Sequence, residues 1–116
     1  MSMTPFLKGR LFRDTMRQTY LSLHVADPGL TGANEVVGGA YARQQTEFTP
    51  TENGDYANRE GLEFMRMPTA RVNYAGLWDS PMGGNFLWGA WLGETQELRA
   101  GDAFVVDAGW VILRLT

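Results

Sequence analysis

From Gln18 onward, apolar and polar side chains alternate along most of the chain, which is the period-two pattern of β-strands. In the stretch TYLSLHVAD (19–27), Leu21, Leu23 and Val25 fall on one face of a strand. The pattern predicts seven or eight short strands and therefore an all-β fold, an antiparallel β-sandwich of jelly-roll or immunoglobulin-like type. Further runs of this kind, separated by turns rich in glycine, proline and aspartate, lie at 40–48, 62–68, 70–79, 86–92 and 104–115.

The apolar positions also predict where each strand lies. The runs 86–92 and 104–115 are apolar on both sides and are expected to be central, whereas the polar run 40–48 is expected nearer an edge. The apolar rows together predict a core composed of Leu21, Leu23, Val25, Phe64, Val72, Trp78, Phe86, Trp88, Val105, Val111, Leu113 and Leu115.

Residues 1–17 differ from the rest of the chain in charge. They carry four basic side chains and one acidic one, a net +3; the whole chain carries −3, so residues 18–116 hold −6. Thr4 followed by Pro5 is typical of a helix start. The sequence therefore predicts two parts, a basic N-terminal arm or short helix (1–17) and a β-sandwich domain (18–116).

Composition excludes several classes of protein. The 116 residues include no cysteine and one histidine, which rules out disulfide frameworks, thiol nucleophiles, Cys-ligated zinc and two-His metal motifs. The net negative charge is unusual for a nucleic-acid binder. No apolar run approaches the roughly 20 residues that span a bilayer, and the first residues lack the apolar region of a signal peptide. We expect a soluble protein without cofactor, metal, nucleic-acid or membrane partner.

His24 and Ser22 share one strand face and are residue types that serve as general base and nucleophile. The sequence places no acid beside them to orient the histidine. The favoured interpretation is a structural histidine that is bonded to a loop carbonyl.

Other candidate sites are better explained by local structure. Four carboxylates lie next to turns and could in principle hydrolyse glycosides, but nothing pairs them, and aspartates beside glycine commonly form turns: Asp27, Glu35, Asp102 and Asp107. The polar loop 49–61 offers oxygen ligands of the kind calcium prefers, without EF-hand spacing: Asn53, Asp55, Asn58 and Glu60. The glycine doublets at 38–39 and 83–84 lack phosphate-loop spacing and are interpreted as turns or bulges. No catalytic residue is assigned.

Aromatic residues are frequent for a chain of this length. A small domain cannot easily bury all four tryptophans together with its tyrosines, so one or two are expected at the surface. Exposed aromatic side chains typically mark a protein–protein interface. An exposed aromatic row that binds sugar is the alternative.

Several short motifs resemble a signature of small structural proteins of tailed bacteriophages. They read L-H-x-A-D-P-G, T-G-x-x-E and G-G-x-Y-A-R-Q, and weaker similarity continues through G-G-N-F-L and A-G-D, so that most of residues 19–115 are covered. The matching residues in the first half are Leu23, His24, Ala26, Asp27, Pro28, Gly29, Thr31, Gly32, Glu35, Gly38, Gly39, Tyr41, Ala42, Arg43 and Gln44.

This resemblance implies a compact all-β virion protein without catalytic residues. Such proteins are labelled tail-fibre proteins or resemble cement proteins of icosahedral capsids. Within the signature, Asp27, Pro28 and Gly29 are expected to build a turn, and Arg43 is expected to pair with Asp27 or Glu35.

The sequence thus favours a non-enzymatic virion protein, assembled in the host cytoplasm. The leading hypothesis is a capsid cement (decoration) protein that binds the outer capsid surface and bridges neighbouring major capsid subunits. The alternatives are a tail, fibre or baseplate component and a carbohydrate-binding module. Copies are expected to self-associate or to repeat on a lattice. The predicted partner-binding residues are Phe6, Arg10, Phe12, Arg13, Arg17, Asp55 and Tyr56; the competing view is that the arm caps its own domain.

Overall fold

The computed structural model describes Thr4, Phe6, Leu7, Arg10, residues 18–52 and residues 54–113. The strands within residues 18–113 pair antiparallel throughout, which confirms the all-β prediction. None of the described residues belongs to a helix long and apolar enough to cross a membrane. The strands are β1 (Thr19–His24), β2 (Gln44–Thr46), β3 (Phe48–Pro50), β4 (Tyr56–Asn58), β5 (Leu62–Phe64), β6 (Ala70–Trp78), β7 (Phe86–Leu98), β8 (Phe104–Val106) and β9 (Ile112–Leu113).

These strands form three sheets, in the orders β2-β1-β6-β7, β3-β4-β9 and β5-β8. A simple sandwich has two sheets, so the jelly-roll or immunoglobulin-like type stays a prediction. β2 lies at an edge of the largest sheet, as expected for the polar run 40–48.

The central positions predicted for 86–92 and 104–115 are wrong. β7 lies at the other edge of the four-stranded sheet, and the run 104–115 divides into β8 and β9, each at the edge of a small sheet. The second apolar side of β7 has a different cause, because a loop rather than a neighbouring sheet packs there. A Cβ atom added to Gly89 would lie 2.9 Å from Cγ of Pro28 in that loop.

β7 contains a large bulge opposite β6. Val72 pairs with Gln96 and Tyr74 pairs with Trp91, so two steps along β6 correspond to five along β7. Gly93 lies within the bulge with a φ of 91°, a conformation that glycine adopts without strain. Bulges twist an edge strand away from regular pairing, so this long edge is a poor template for simple strand addition.

The core lies between the sheets and is built on the face of β1 and β6 that carries Leu21, Leu23 and Leu77. The predicted core residues that are buried are Leu21, Leu23, Phe64, Val72, Trp78 and Leu113. Phe86, Trp88 and Val111 are half-buried, and Leu115 lies outside the described residues.

Two core predictions are wrong. Val25 is exposed because β1 ends at His24 and the chain bends away there. Val105 is exposed because Phe104 and Val106, its neighbours on β8, face inward, and side chains alternate along a strand.

The described residues of the arm are consistent with a helix start. Phe6, Leu7 and Arg10 are helical. The Leu7 N–H donates to Oγ1 of Thr4 at 3.3 Å, as in a helix N-cap. The other residues of 1–17 lie outside the described part of the chain.

Candidate functional site

The signature motifs lie mainly in the loop between β1 and β2, residues 25–43, here called the cover. This loop packs over the outer face of the largest sheet. Register places Ser22, Gly76 and Gly89 on one face of β1, β6 and β7. The loop that follows β1 packs on this face closely enough that glycine is required. A Cβ atom at Gly32 in the loop would collide with the Trp78 ring, and one at Gly89 would lie 2.9 Å from Cγ of Pro28 in the loop.

His24 is held inside this cover by a chain of hydrogen bonds. Its Nδ1 lies 2.8 Å from the carbonyl oxygen of Ala33, and its Nε2 lies 2.7 Å from Oγ of Ser22. A carbonyl can only accept, so Nδ1 carries the proton and the Ser22 hydroxyl donates to Nε2. Trp78 Nε1 in turn donates to Ser22 Oγ at 2.9 Å. The loop carbonyl predicted for His24 is therefore found.

This Ser–His pair has the contacts of a nucleophile and base but lacks access for a substrate. Ser22 and His24 are completely buried. Burial is the largest effect on the pKa of His24 and lowers it. The hydrogen bond to the Ala33 carbonyl acts in the opposite direction but is weaker. The pair therefore serves to hold the loop on the sheet.

Glu35 and Arg43 lock the end of the cover. Arg43 Nε and Nη2 donate to the two carboxylate oxygens of Glu35 at 3.0 and 2.9 Å. The Arg43 guanidinium also lies 3.7 Å from the Trp78 ring centroid, a cation–π contact. Of the two partners predicted for Arg43, Glu35 is the one observed.

The same arginine ties a second loop to the cover. Arg43 Nη1 donates to the carbonyl oxygens of Ser80 and Gly83 at 3.0 and 2.8 Å. Gly83 and Gly84 have φ values of 61° and 80°, which confirms that this doublet forms a turn.

Tyr41 connects Glu35 to the strand β1. Its hydroxyl donates to Oε2 of Glu35 at 2.6 Å and accepts from the Leu23 N–H at 3.0 Å. Burial, followed by the bond to Glu35, raises the pKa of Tyr41. Burial alone would raise the pKa of Glu35, but the bonds from Arg43 and Tyr41 outweigh it and lower that pKa.

The turn-associated carboxylates and the polar loop have local structural roles. Asp27 Oδ1 accepts from the Gly29 N–H, so the predicted turn is confirmed, and Asp102 Oδ2 accepts from the Arg99 N–H.

Buried Asn58 joins β4 to the chain before β9: its Nδ2 donates to the Asp107 carbonyl and its Oδ1 accepts from the Val111 N–H. Among the described residues, no group of three or more His, Asp or Glu could hold a metal ion. Sequence reasoning missed the role of Asn58, because nothing in the sequence marks its partners 49 and 53 residues away.

A different surface has the character of an interface. Between β7 and the segment that contains β9 lies a groove of about 290 Å³, here called the aromatic groove. Its floor is part of the core, while Trp110 and Ile112 on its wall are half exposed. Trp91 borders it and is among the most exposed aromatic residues described, at 65%. The main lining residues are Trp88, Ala90, Leu92, Trp110, Ile112 and Leu113.

Acidic residues border this groove. A second groove adjoins it, since Leu92 and Trp110 line both, and Glu94 and Asp107 lie along the second. Among the described residues that line the two grooves, none is basic.

The predicted partner-binding residues are not brought into one described cluster. Phe6 and Arg10 are exposed, Asp55 is half-buried, and Tyr56 belongs to the core. Phe12, Arg13 and Arg17 lie outside the described residues. The exposed groove tryptophans were foreseen only as a class, because strand alternation left the sides of Trp91 and Trp110 undecided.

Comparison with known proteins places the chain in a family. No curated protein matches it significantly. The sequence model of one family, described as Podophage GP4 fiber I protein gp80, matches residues 9–114, which is most of the chain and includes every signature motif. This agrees with the resemblance to phage structural proteins carried by those motifs. The chain therefore belongs to the family of the podophage GP4 fiber I protein gp80.

Proposed function

We propose that this protein is a non-enzymatic structural subunit of a bacteriophage virion, and specifically a component of a tail fibre. The observation that carries the proposal is the family match over residues 9–114, since that family is described by a fibre protein. The capsid cement role, which sequence reasoning put first, becomes the second candidate.

The use of the signature residues supports a structural role. His24, Ser22, Glu35 and Arg43 are occupied by bonds that fasten the cover to the sheet. Active sites hold accessible, strategically perturbed groups in a cleft, whereas these side chains are buried or half-buried among protein partners. These bonds support a scaffold role for the family motif. Contacts with other proteins would then be made by surface residues outside the motif.

The aromatic groove supports action through protein contacts. Interfaces are enriched in tryptophan and depleted of charge at their centre, and Trp88, Trp91 and Trp110 all line this groove. A sugar-binding role, the third hypothesis, needs an exposed aromatic platform as well, and Trp91 is the described residue that would supply it.

Location and copy number in the virion test the proposal. Antibody labelling of purified phage should mark the tail, and quantitative mass spectrometry should give a few copies per tail. Labelling spread over the whole capsid, with a copy number comparable to the major capsid protein, would favour the cement role instead. Binding of the purified protein to a glycan array, abolished by Trp91→Ala, would favour the carbohydrate module.

A further inference from the structure

We propose that the aromatic groove binds the N-terminal arm of a second copy of this chain, with Phe6 and Leu7 as the inserted side chains. This inference deepens the proposed fibre role by naming the contact between subunits. The test of this contact uses purified protein alone. The contact can therefore be disproved while the fibre assignment stands, and the fibre assignment can be disproved while the contact stands.

The arm has apolar side chains that its own chain does not cover. Phe6 is 71% exposed and Leu7 is 45% exposed. Both follow the Thr4 cap on the same short helical stretch. Because Phe6 and Leu7 are adjacent, they form a contiguous apolar patch, and such patches commonly mark interaction sites.

The aromatic groove likewise has apolar side chains that its own chain leaves exposed. Ile112 and Trp110 are 50% and 45% exposed and flank a floor that includes buried Leu21, Leu77 and Leu113. The groove volume of about 290 Å³ is large enough for a pair of side chains such as phenylalanine and leucine. Regular strand addition is a weaker solution here, because the bulge between Trp91 and Gln96 interrupts the edge of β7.

Charge complementarity identifies the arm as the occupant. Residues 1–17 carry a net +3 on a chain whose remaining residues carry −6. Glu94 and Asp107 lie in the adjoining groove, where they would meet the basic residues that follow Leu7 in sequence. Opposite charges around an apolar contact fix its orientation and its partner.

Exposure of both halves in the single chain favours a second copy over the chain's own arm. If Phe6 and Leu7 filled the groove of their own chain, neither they nor Ile112 would remain exposed. An arm that reaches a groove on another copy closes a two-fold dimer if the exchange is reciprocal, and builds a ring or a filament if the contacts run head to tail.

Cysteine pairing can test this contact directly, because the chain has no cysteine of its own. Two single variants, Phe6→Cys and Ile112→Cys, are mixed and oxidised, and the expected product is a disulfide-linked dimer that contains one of each. The matched control is Phe6→Cys mixed with Leu30→Cys, which is 96% exposed on the loop at the opposite face of the sheet. We expect the first mixture to yield at least about tenfold more mixed dimer, the ratio that a tenfold preference in binding produces.

The double variant Phe6→Cys/Ile112→Cys shows whether the arm that enters a groove comes from the same chain or from another copy. Linkage between chains supports the proposal, whereas a monomer whose two cysteines are joined at low concentration would show that the arm covers its own groove. Equal crosslinking of Phe6→Cys to Leu30→Cys would overturn the proposal.

Sedimentation of the unmodified full chain gives an independent measurement. We expect concentration-dependent association that Phe6→Ser or Ile112→Ser weakens at least about tenfold, while Leu30→Ser leaves it unchanged. High salt should weaken it only modestly, because screening acts on exposed charges and leaves apolar burial intact. A wild-type chain that stays monomeric throughout, or three variants that behave alike, would contradict the proposal.

Discussion

Arg43 binds both carboxylate oxygens of Glu35 through two hydrogen bonds, Nε to Oε2 at 3.0 Å and Nη2 to Oε1 at 2.9 Å. The two side chains are only 9% and 20% exposed. They join the cover, the Trp78 ring and the turn at Gly83 in one cluster. The ion pair therefore contributes to stability through the parts of the chain that it connects.

The first prediction concerns this ion pair. Arg43→Ala should lower the free energy of unfolding by about 3–5 kcal/mol, because it leaves the Glu35 carboxylate largely buried without its partner. Urea denaturation followed by tryptophan fluorescence measures the change. The control is Arg71→Ala, which breaks an ion pair to Glu97 whose side chains are 74% and 69% exposed and should cost less than about 1 kcal/mol. Equal effects of the two variants would contradict the assigned role of Arg43.

The second prediction concerns pH. The pKa of His24 is lowered in the folded chain from its ordinary 6.5, chiefly by burial. The unfolded chain therefore binds a proton at a higher pH than the folded one, and stability is lost as the pH falls below about 6.5. Glu35, whose folded pKa lies below its ordinary 4.5, adds a loss of the same sign at still lower pH.

Both parts of that prediction can be measured. His24 is the only histidine, so its ring resonances in a proton NMR titration are unambiguous. They should titrate below 6.5 or stay unchanged until the protein unfolds. Melting temperatures should fall between pH 7.5 and 5.5, and this slope should flatten in His24→Gln. An ordinary histidine titration with no loss of stability would show that the ring is accessible to water.

The third prediction concerns close packing at Gly32. Gly32→Ala introduces a Cβ atom that collides with Trp78 and also requires an alanine at a φ of 78°. The backbone strain of about 1–2 kcal/mol and the overpacking of about 1–3 kcal/mol should both reduce stability. Gly83→Ala is the matched control, since its φ is 61° and a Cβ there would have no neighbour within 4 Å. The difference between the two variants in thermal or urea unfolding isolates the packing cost.

The fourth prediction concerns the orientation of β8. Val106→Ala should cost about 1.5–3 kcal/mol, because it removes two methyl groups from a fully packed site and leaves a small cavity. Val105→Ala, one residue earlier and 59% exposed, should change stability by less than about 0.5 kcal/mol. A larger loss for Val105 would mean that the strand faces the opposite way.

Local sequence patterns were sufficient to predict the antiparallel strands and most of the turns. Alternation of side chains is a property of each strand alone, and positive φ at glycine is a property of each turn alone, so both can be read from neighbouring residues. Leu21, Leu23 and the turn at Gly83 and Gly84 are examples in which the prediction is confirmed. The polar character of 40–48 likewise indicated an edge strand, because its side chains avoid burial on one face.

The sheet neighbours of each strand were decided only by the tertiary structure. Alternation shows which faces of a strand are apolar but not whether a sheet or a loop covers them. The loop after β1 packs on β7 and makes that edge strand apolar on both sides, like a central strand. The same limit applied to Arg43, for which Asp27 and Glu35 were equal candidates until folding brought only Glu35 within reach. It applied to the aromatic groove as well: Trp88 and Ile112 lie 24 residues apart in sequence, and only the packing of two sheets places them on one surface.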